Sequence, residues 1–304
     1  NKLFFSLLKL YKQGNEFYNE ILNRDELSRA LELRSKDYKE RLDDKWEKVL
    51  ESHKWSSFYE PLRYATKDGK RIRPLILMLA GESVGIPGGK TDLAAVAVEL
   101  LHTESIIHDD IIDNQIQRRN KDSFHLRYGN DTALLTADFV FGIILEIASR
   151  YNDPRIAKEL SLAALRMCEG QQKELNSNSR KIQWIEYLTV VSQKTAALFQ
   201  TSSKLGAIIG GGNESEINAL ANYGLNLGIA YQIHDDILDW GDDDKFLELT
   251  QDRNIQENIV SLKKLREHST LYAENAKRQL DKIKESDYKE FLYYLADFTV
   301  KRDY

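Results

Sequence analysis

Cysteine is almost absent: Cys168 stands alone among 304 residues, so no internal disulfide can form. A lone cysteine fits a reducing, cytoplasmic setting, and its expected role is a small core residue rather than a nucleophile. Proline is nearly as scarce, with four positions (Pro61, Pro74, Pro87 and Pro154) and none after Pro154. That excludes a second half punctuated by proline turns and leaves Ala, Leu, Glu and Lys to build long helices. A basic excess is also missing: the net charge is −5, which excludes the cationic footprint of a nucleic-acid binder. The longest nearly apolar runs, Pro74–Ala80 and Phe139–Leu145, fall short of the ~20 residues that span a bilayer. Leu3–Leu10 is amphipathic with no small-residue cleavage site after it, so neither a signal peptide nor a transmembrane segment is expected.

What is present reads as helix. Apolar residues make up 42% of the chain and charged residues 30%, enough for one core and a soluble surface. Residues 1–55 are charged and helix-prone, with Leu42, Trp46, Val49 and Leu50 at helical spacing, and form an N-terminal arm. The helical pattern over 56–83 breaks at Asp68-Gly69 and restarts around Pro74; Gly85–Gly89 is a loop. Further helices are predicted from Asp92 to about Gln117, over 130–150 with Asn130-Asp131-Thr132 as its N-cap, and over 153–175 and 181–209. Others follow over 214–240, 255–280 and 287–300. No stretch alternates with period two, which predicts no sheet, and no low-complexity linker divides the chain. The expectation is one all-α domain over residues 1–304.

The chemistry concentrates in two copies of one pattern, Ile107-His108-Asp109-Asp110-Ile111-Ile112-Asp113 and Ile233-His234-Asp235-Asp236-Ile237-Leu238-Asp239. On a helix Asp109 and Asp113 share a face, with Asp110 about 100° round, and Asp235, Asp239 and Asp236 repeat this. One such triplet is often a solvated face. Two, set among isoleucines, imply cations between them, because opposed carboxylates repel. All-oxygen ligands on helices suit Mg²⁺, which shares its coordination with substrate phosphates. The His-Asp pairs allow a rival reading, a metal phosphohydrolase with His102 or His53 as a further ligand. However, the acids are what is duplicated, and a histidine beside a ligand more often supports it.

Basic residues supply an anion's partners. Lys70 and Arg73 fall near one face of Gly69-Lys70-Arg71-Ile72-Arg73-Pro74, and Arg118-Arg119 follow the first acidic helix. Lys194-Thr195 interrupt an apolar stretch, where a lysine and a hydroxyl can hold a phosphate oxygen. His102 lies within about 25° of the centre of the first acidic face. Together these groups describe a diphosphate site.

These residues resemble the all-trans polyprenyl diphosphate synthases. The matches are the Gly69–Pro74 run, Glu99-Leu100-Leu101-His102-Thr103, both Asp-Asp-x-x-Asp motifs, Arg118-Arg119, Lys194-Thr195 and Tyr231-Gln232, in the family's order. They cover roughly residues 55–245, and Leu295–Asp303 looks like the family's closing helix. The resemblance implies a helical bundle of the isoprenoid (prenyl) synthase type, typically a homodimer, that condenses isopentenyl diphosphate with an allylic prenyl diphosphate. It implies that Asp109, Asp110, Asp113, Asp235, Asp236 and Asp239 bind Mg²⁺. Lys70, Arg73, His102 and Arg119 would hold isopentenyl diphosphate; Arg118, Lys194, Thr195 and Gln232 would hold the allylic diphosphate. Asp109, Asp110, Asp113, Lys194, Asp235 and Asp236 then carry catalysis.

Two departures stand out. Asn120 replaces the glycine that normally follows the paired arginines, and Trp240–Lys245 runs straight into Phe246–Leu249 where the family carries a lysine- and glycine-rich loop. Either that loop is missing or the sequence omits part of it, and Lys245 is not spaced to replace its lysines. Ser105 and Glu104, four and five positions before the first Asp, offer no aromatic plug, which favours products of geranylgeranyl length or longer. On an ideal wheel Glu104 points away from the acidic face, toward a dimer partner. Two alternatives remain: a class I terpene cyclase, which would usually alter the second triplet, and a non-catalytic regulatory subunit, which tends to lose acidic motifs.

Overall fold

Helices make up nearly all of the described chain, which in this computed structural model comprises residues 24–67, 69–85, 89–177, 183–239 and 262–302. The part of the predicted arm before Arg24, with the Leu3–Leu10 stretch, and residues 240–261, with Lys245, lie outside the described residues. Helix α1 (Arg24–Glu51) turns Leu42, Trp46, Val49 and Leu50 inward, and all four are buried. Arg41 fastens it to the bundle, donating to Glu82 at 2.7 Å and to Asp92 at 2.6 Å, while the Tyr38 hydroxyl donates to Glu82 at 2.6 Å.

α2 (Tyr59–Thr66) leads to α3 (Ile72–Val84), which begins after a left-handed Arg71 (φ 53°) and carries Pro74 in its first turn, where a missing N–H costs nothing. α4 (Asp92–Ile112) stops five residues short of the Gln117 that the pattern predicts. Asn114, at φ 50°, ends it: its N–H donates to the Ile111 carbonyl (3.3 Å) and the Gln115 N–H to the Asp110 carbonyl (3.0 Å), the paired bonds of a Schellman end. The chain then forms a hairpin of two short strands, β1 (Gln117–Arg118) and β2 (Lys121–Asp122), with Arg118 opposite Lys121. The sequence predicts no strand here, because two-residue strands are too short to show alternation. Arg119 (φ 53°) and Asn120 (φ 60°) make the turn, with the sign pattern of type I′. Asparagine tolerates that region, so the turn closes as a glycine would close it.

α5 (Phe124–Tyr128) precedes α6 (Asn130–Ser149), whose cap is Gly129 at φ 84° rather than the Asn130 side chain. α6 also corrects the reading of apolar runs. By length and composition it suffices to cross a membrane, but 44% of its apolar window is buried in the protein. Val140, Ile143, Ile144 and Ile147 face the core, while Leu134, Leu135 and Leu145 are exposed.

α7 (Pro154–Ser177) has its first turn capped by Asp153, which accepts from the Arg155 N–H at 2.9 Å. The predicted helix over 181–209 is three pieces: α8 (Trp184–Val191), a π-helical turn at Ser192–Ala196, and α9 (Ala197–Gly210). α10 (Glu214–Asp239), α11 (Leu262–Gln279) and α12 (Asp287–Lys301) complete the all-α bundle. α9 packs most extensively on α3 and α10. It meets α3 backbone to backbone: a Cβ on Gly206 would lie 2.1 Å from the Leu77 carbonyl oxygen. Leu77, Met78, Leu100, Leu101, Phe199 and Tyr223 are fully buried around this crossing.

Candidate active site

Both acidic motifs sit at the C-terminal ends of their helices. Asp109 and Asp110 lie in the last turn of α4 with Asp113 as its C-cap, and Asp235, Asp236 and Asp239 lie in the final turns of α10. A helix C-terminus already carries partial negative charge, so acids there call for cations. Burial pushes the Asp109 carboxyl up to about 6; Lys194 opposes this, while Asp113 and Glu174 add to it. Burial pushes Asp236 up to about 6 as well, against hydrogen bonds from Tyr187 and Gln232.

One cavity of about 810 Å³ gathers most of the predicted site: Asp109, Asp235 and Asp236 line it together with Arg73, His102, Arg118, Arg119, Lys194, Thr195 and Gln232. A neighbouring space of about 430 Å³ is lined by Lys70 and shares Arg73, His102 and Arg119 with the first. Asp110, Asp113 and Asp239 line neither. Asp110 is buried and accepts from Arg118 Nε at 2.6 Å, whereas Asp113 and Asp239 are exposed at their helix ends.

The cations divide between holding the fold and facing the cavity. Arg71 is structural: it donates to Glu99 at 2.9 Å and to the Thr66 carbonyl at 2.6 Å, and lies over the Trp46 ring. Arg73 is half-buried over Phe199, and its Nε, which is fully buried, has no hydrogen-bond partner. A buried donor left unsatisfied is costly, and an anion in the cavity would relieve that. Burial lowers the pKa of His102 well below the usual histidine value, and Arg73, Arg119 and Arg118 lower it further, so the ring is neutral. Gly69 keeps room for Arg119, whose Nη1 would lie 3.4 Å from a Cβ there.

The π-helical turn supplies Lys194 and Thr195. Burial opposes the charge on Lys194, but Asp109 and Glu174, with which it forms an ion pair, outweigh this and raise its pKa. Thr195 Oγ1 donates to Gln232 Oε1 at 2.8 Å, Gln232 Nε2 donates to Asp236 Oδ1 at 2.8 Å, and the Tyr187 hydroxyl donates to the other Asp236 oxygen. Sequence reasoning missed Glu174, Tyr187 and Arg302, and also Gln171, whose amide nitrogen and oxygen are buried without partners. Within Gln171-Gln172-Lys173-Glu174 the only signal is polarity, which an exposed helix face shares.

The two histidines of the His-Asp pairs serve other groups. His108 Nδ1 lies 3.1 Å from Glu104 on its own helix. His234 Nε2–H donates to the Arg302 carbonyl at 2.8 Å. Glu104 does not point away from the site as the ideal wheel predicts; with His108 and Ser105 it lines the larger cavity. Among the described residues no three His, Cys, Asp or Glu side chains gather closely enough to hold an ion unaided.

Residues 56–292 match the family model described as polyprenyl synthetase. The chain belongs to this family. It is 32% identical over 313 aligned residues to a geranylgeranyl pyrophosphate synthase of Geoglobus acetivorans, covering 88% of this chain and 98% of the relative. The structure of a geranylgeranyl pyrophosphate synthetase from Pyrococcus horikoshii Ot3 superposes with a TM-score of 0.81 at 28% identity, covering 90% of this chain and 99% of that one. A polyprenyl synthase from Caulobacter crescentus CB15, complexed with calcium and isoprenyl diphosphate, superposes with a TM-score of 0.77 at 26% identity, covering 93% and 98%. The enzyme is therefore a prenyltransferase of the chain-elongating kind. The two acid-bearing helix ends face one cavity in a fold that its relatives share.

Proposed function

We propose that the enzyme condenses isopentenyl diphosphate with an allylic prenyl diphosphate in the presence of Mg²⁺, giving an all-trans polyprenyl diphosphate of geranylgeranyl length or longer. One observation carries the reading: Asp109 on α4 and Asp235 and Asp236 on α10 share a single cavity with a cluster of cations and with apolar side chains including Leu101, Phe141, Met167 and Leu198. Its donor set fits the ion. The carboxylates are hard oxygen ligands, and burial disfavours the charge on Asp109 and Asp236, a cost that a bound cation would offset. They are spread along the cavity rather than clustered, which suits an ion that also takes diphosphate oxygens and water. Asp109 and Asp113 on one side and Asp235, Asp236 and Asp239 on the other would hold it, with Asp110 fixed behind them by Arg118. The calcium and isoprenyl diphosphate bound by the Caulobacter relative support this.

Bound Mg²⁺ supplies Lewis-acid stabilisation to the departing diphosphate. Lys194, Thr195, Gln232 and Arg118 bind the allylic diphosphate, and Lys70, Arg73, His102 and Arg119 bind isopentenyl diphosphate in the smaller space. As the allylic C–O bond breaks, Lys194 and Arg118 stabilise the charge that develops on the leaving group. Neutral His102 donates a hydrogen bond without adding to the crowd of positive charge. The apolar wall keeps water from the allylic cation, and the released diphosphate takes the proton that the condensation frees. Ser105, small and lining the cavity, leaves room for a longer product. Exposed Leu134, Leu135 and Leu145 on α6 support a homodimer in which a second copy of the chain covers that helix.

Incubation with isopentenyl diphosphate, each of the shorter allylic diphosphates and Mg²⁺ tests the reading, with products separated by chain length. Elongated product that disappears with EDTA is expected. Phosphate release without a new carbon–carbon bond would overturn it.

A further inference from the structure

We infer that Arg302 is a positioning residue for the second acidic motif, coupling the seating of the C-terminal helix to the binding of divalent metal. The inference rests on the metal-and-diphosphate reading above. Arg302 follows α12 directly, yet its side chain is 1% exposed. Its Nη2 donates to Asp235 Oδ1 at 2.5 Å and to the Tyr231 carbonyl at 3.3 Å, and its Nε donates to the Thr299 carbonyl at 3.3 Å. The guanidinium lies 4.0 Å from the centre of the Tyr231 ring. Its own carbonyl accepts from His234 Nε2–H at 2.8 Å, so main chain and side chain both grip the segment of α10 that carries Asp235 and Asp236.

Asp235 remains 31% exposed at the side chain and lines the larger cavity. One of its oxygens is thus occupied by Arg302 from within the protein, and the carboxylate is oriented with its exposed part toward the cavity. Partners of this kind fix the rotamer of a metal-binding carboxylate before the ion arrives. A lysine could provide the charge but not the fork that also reaches Tyr231 and stacks on its ring. Arg302 also lowers the pKa of Lys70, behind the larger effect of burial, and so acts on the smaller space as well.

The test measures Mn²⁺ binding directly, by the loss of the free-ion paramagnetic resonance signal, in the full chain with inorganic diphosphate present. Arg302→Gln should raise the half-saturating Mn²⁺ concentration by about 10–100-fold, the range that loss of such a partner produces. Arg302→Lys should fall between Arg302→Gln and the unchanged protein. Circular dichroism and the melting temperature report folding separately, and if Arg302→Gln does not fold then Arg302→Lys alone decides. Equal Mn²⁺ affinity in the folded variants and the unchanged protein overturns the role of Arg302 while leaving the metal reading intact. No Mn²⁺ binding by the unchanged protein overturns both.

Discussion

A Cβ on Gly170 would lie 2.4 Å from the backbone nitrogen of Lys194 and 2.8 Å from its Cα. Helix α7 therefore lies directly against the π-helical turn, with no side chain between the two backbones. That contact sets Lys194 beside Glu174, four residues further along α7, and beside Asp109. Gly170→Ala forces the two segments apart. Overpacking of this sort costs about 1–3 kcal/mol. Activity should fall at least about tenfold as Lys194 shifts, since small misplacements at a reacting centre are expensive. Urea denaturation reads the first effect and steady-state kinetics the second. Wild-type kinetics in a folded Gly170→Ala variant would contradict the positioning role.

The raised carboxyls predict opposite pH responses with and without ligand. Asp109 and Asp236 are each pushed up to about 6 by burial, above the usual aspartate value. For such a group the folded form binds a proton more tightly than the unfolded chain does. Its contribution to stability is thus fully present below the unfolded pKa and lost as pH rises through about 6. The metal-free protein should gain stability from these two groups as pH falls from 7 to 5. Metal binding runs the other way: a carboxyl with a pKa of about 6 is roughly 90% ionised at pH 7 and roughly 10% at pH 5. The rise in melting temperature caused by Mg²⁺ and diphosphate should therefore shrink over the same interval. Parallel melting curves with and without ligand check both signs.

Ser105 predicts the product ceiling. Its hydroxyl donates to the His102 carbonyl at 2.9 Å, so the side chain is tied back and occupies little of the cavity. Ser105→Phe would fill space beyond it and should shorten the longest product, while Ser105→Ala should leave product length unchanged. Chromatography of products from a common primer separates the two variants. Equal product lengths would place the limit elsewhere along the apolar wall.

How much of this could be read from the sequence depended on how local each cause was. Helix spans followed from spacing and from the lack of proline, and the early end of α4 was signalled by Asn114, which makes the left-handed turn. The residues whose type names their chemistry were legible too: the aspartates, Lys194, and the arginine pair. Glu174, Tyr187 and Arg302 were not. Each acts on a residue of another element, and within its own stretch of sequence each looks like an ordinary polar or half-buried position. Glu104 failed for a related reason. An ideal wheel gives its direction on α4 but not its hydrogen-bond partner, and His108 holds it in the cavity. The hairpin was invisible because its pairing is shorter than one period of alternation.

That hairpin has a consequence for inheritance. Arg118 and Arg119 are consecutive, yet one answers Asp110 while the other reaches the space lined by Lys70. Arg118 ends β1 and Arg119 opens the turn, so it is the turn that sends the two side chains to different places. Point changes at residues 115–117 leave that placement untouched and should be tolerated, whereas Asn114 is constrained by its φ of 50°. Inserting or deleting one residue there would move both arginines relative to Asp110 and Lys70 without altering the composition of the site. Past Asn114 the segment can therefore vary in letters but not in length.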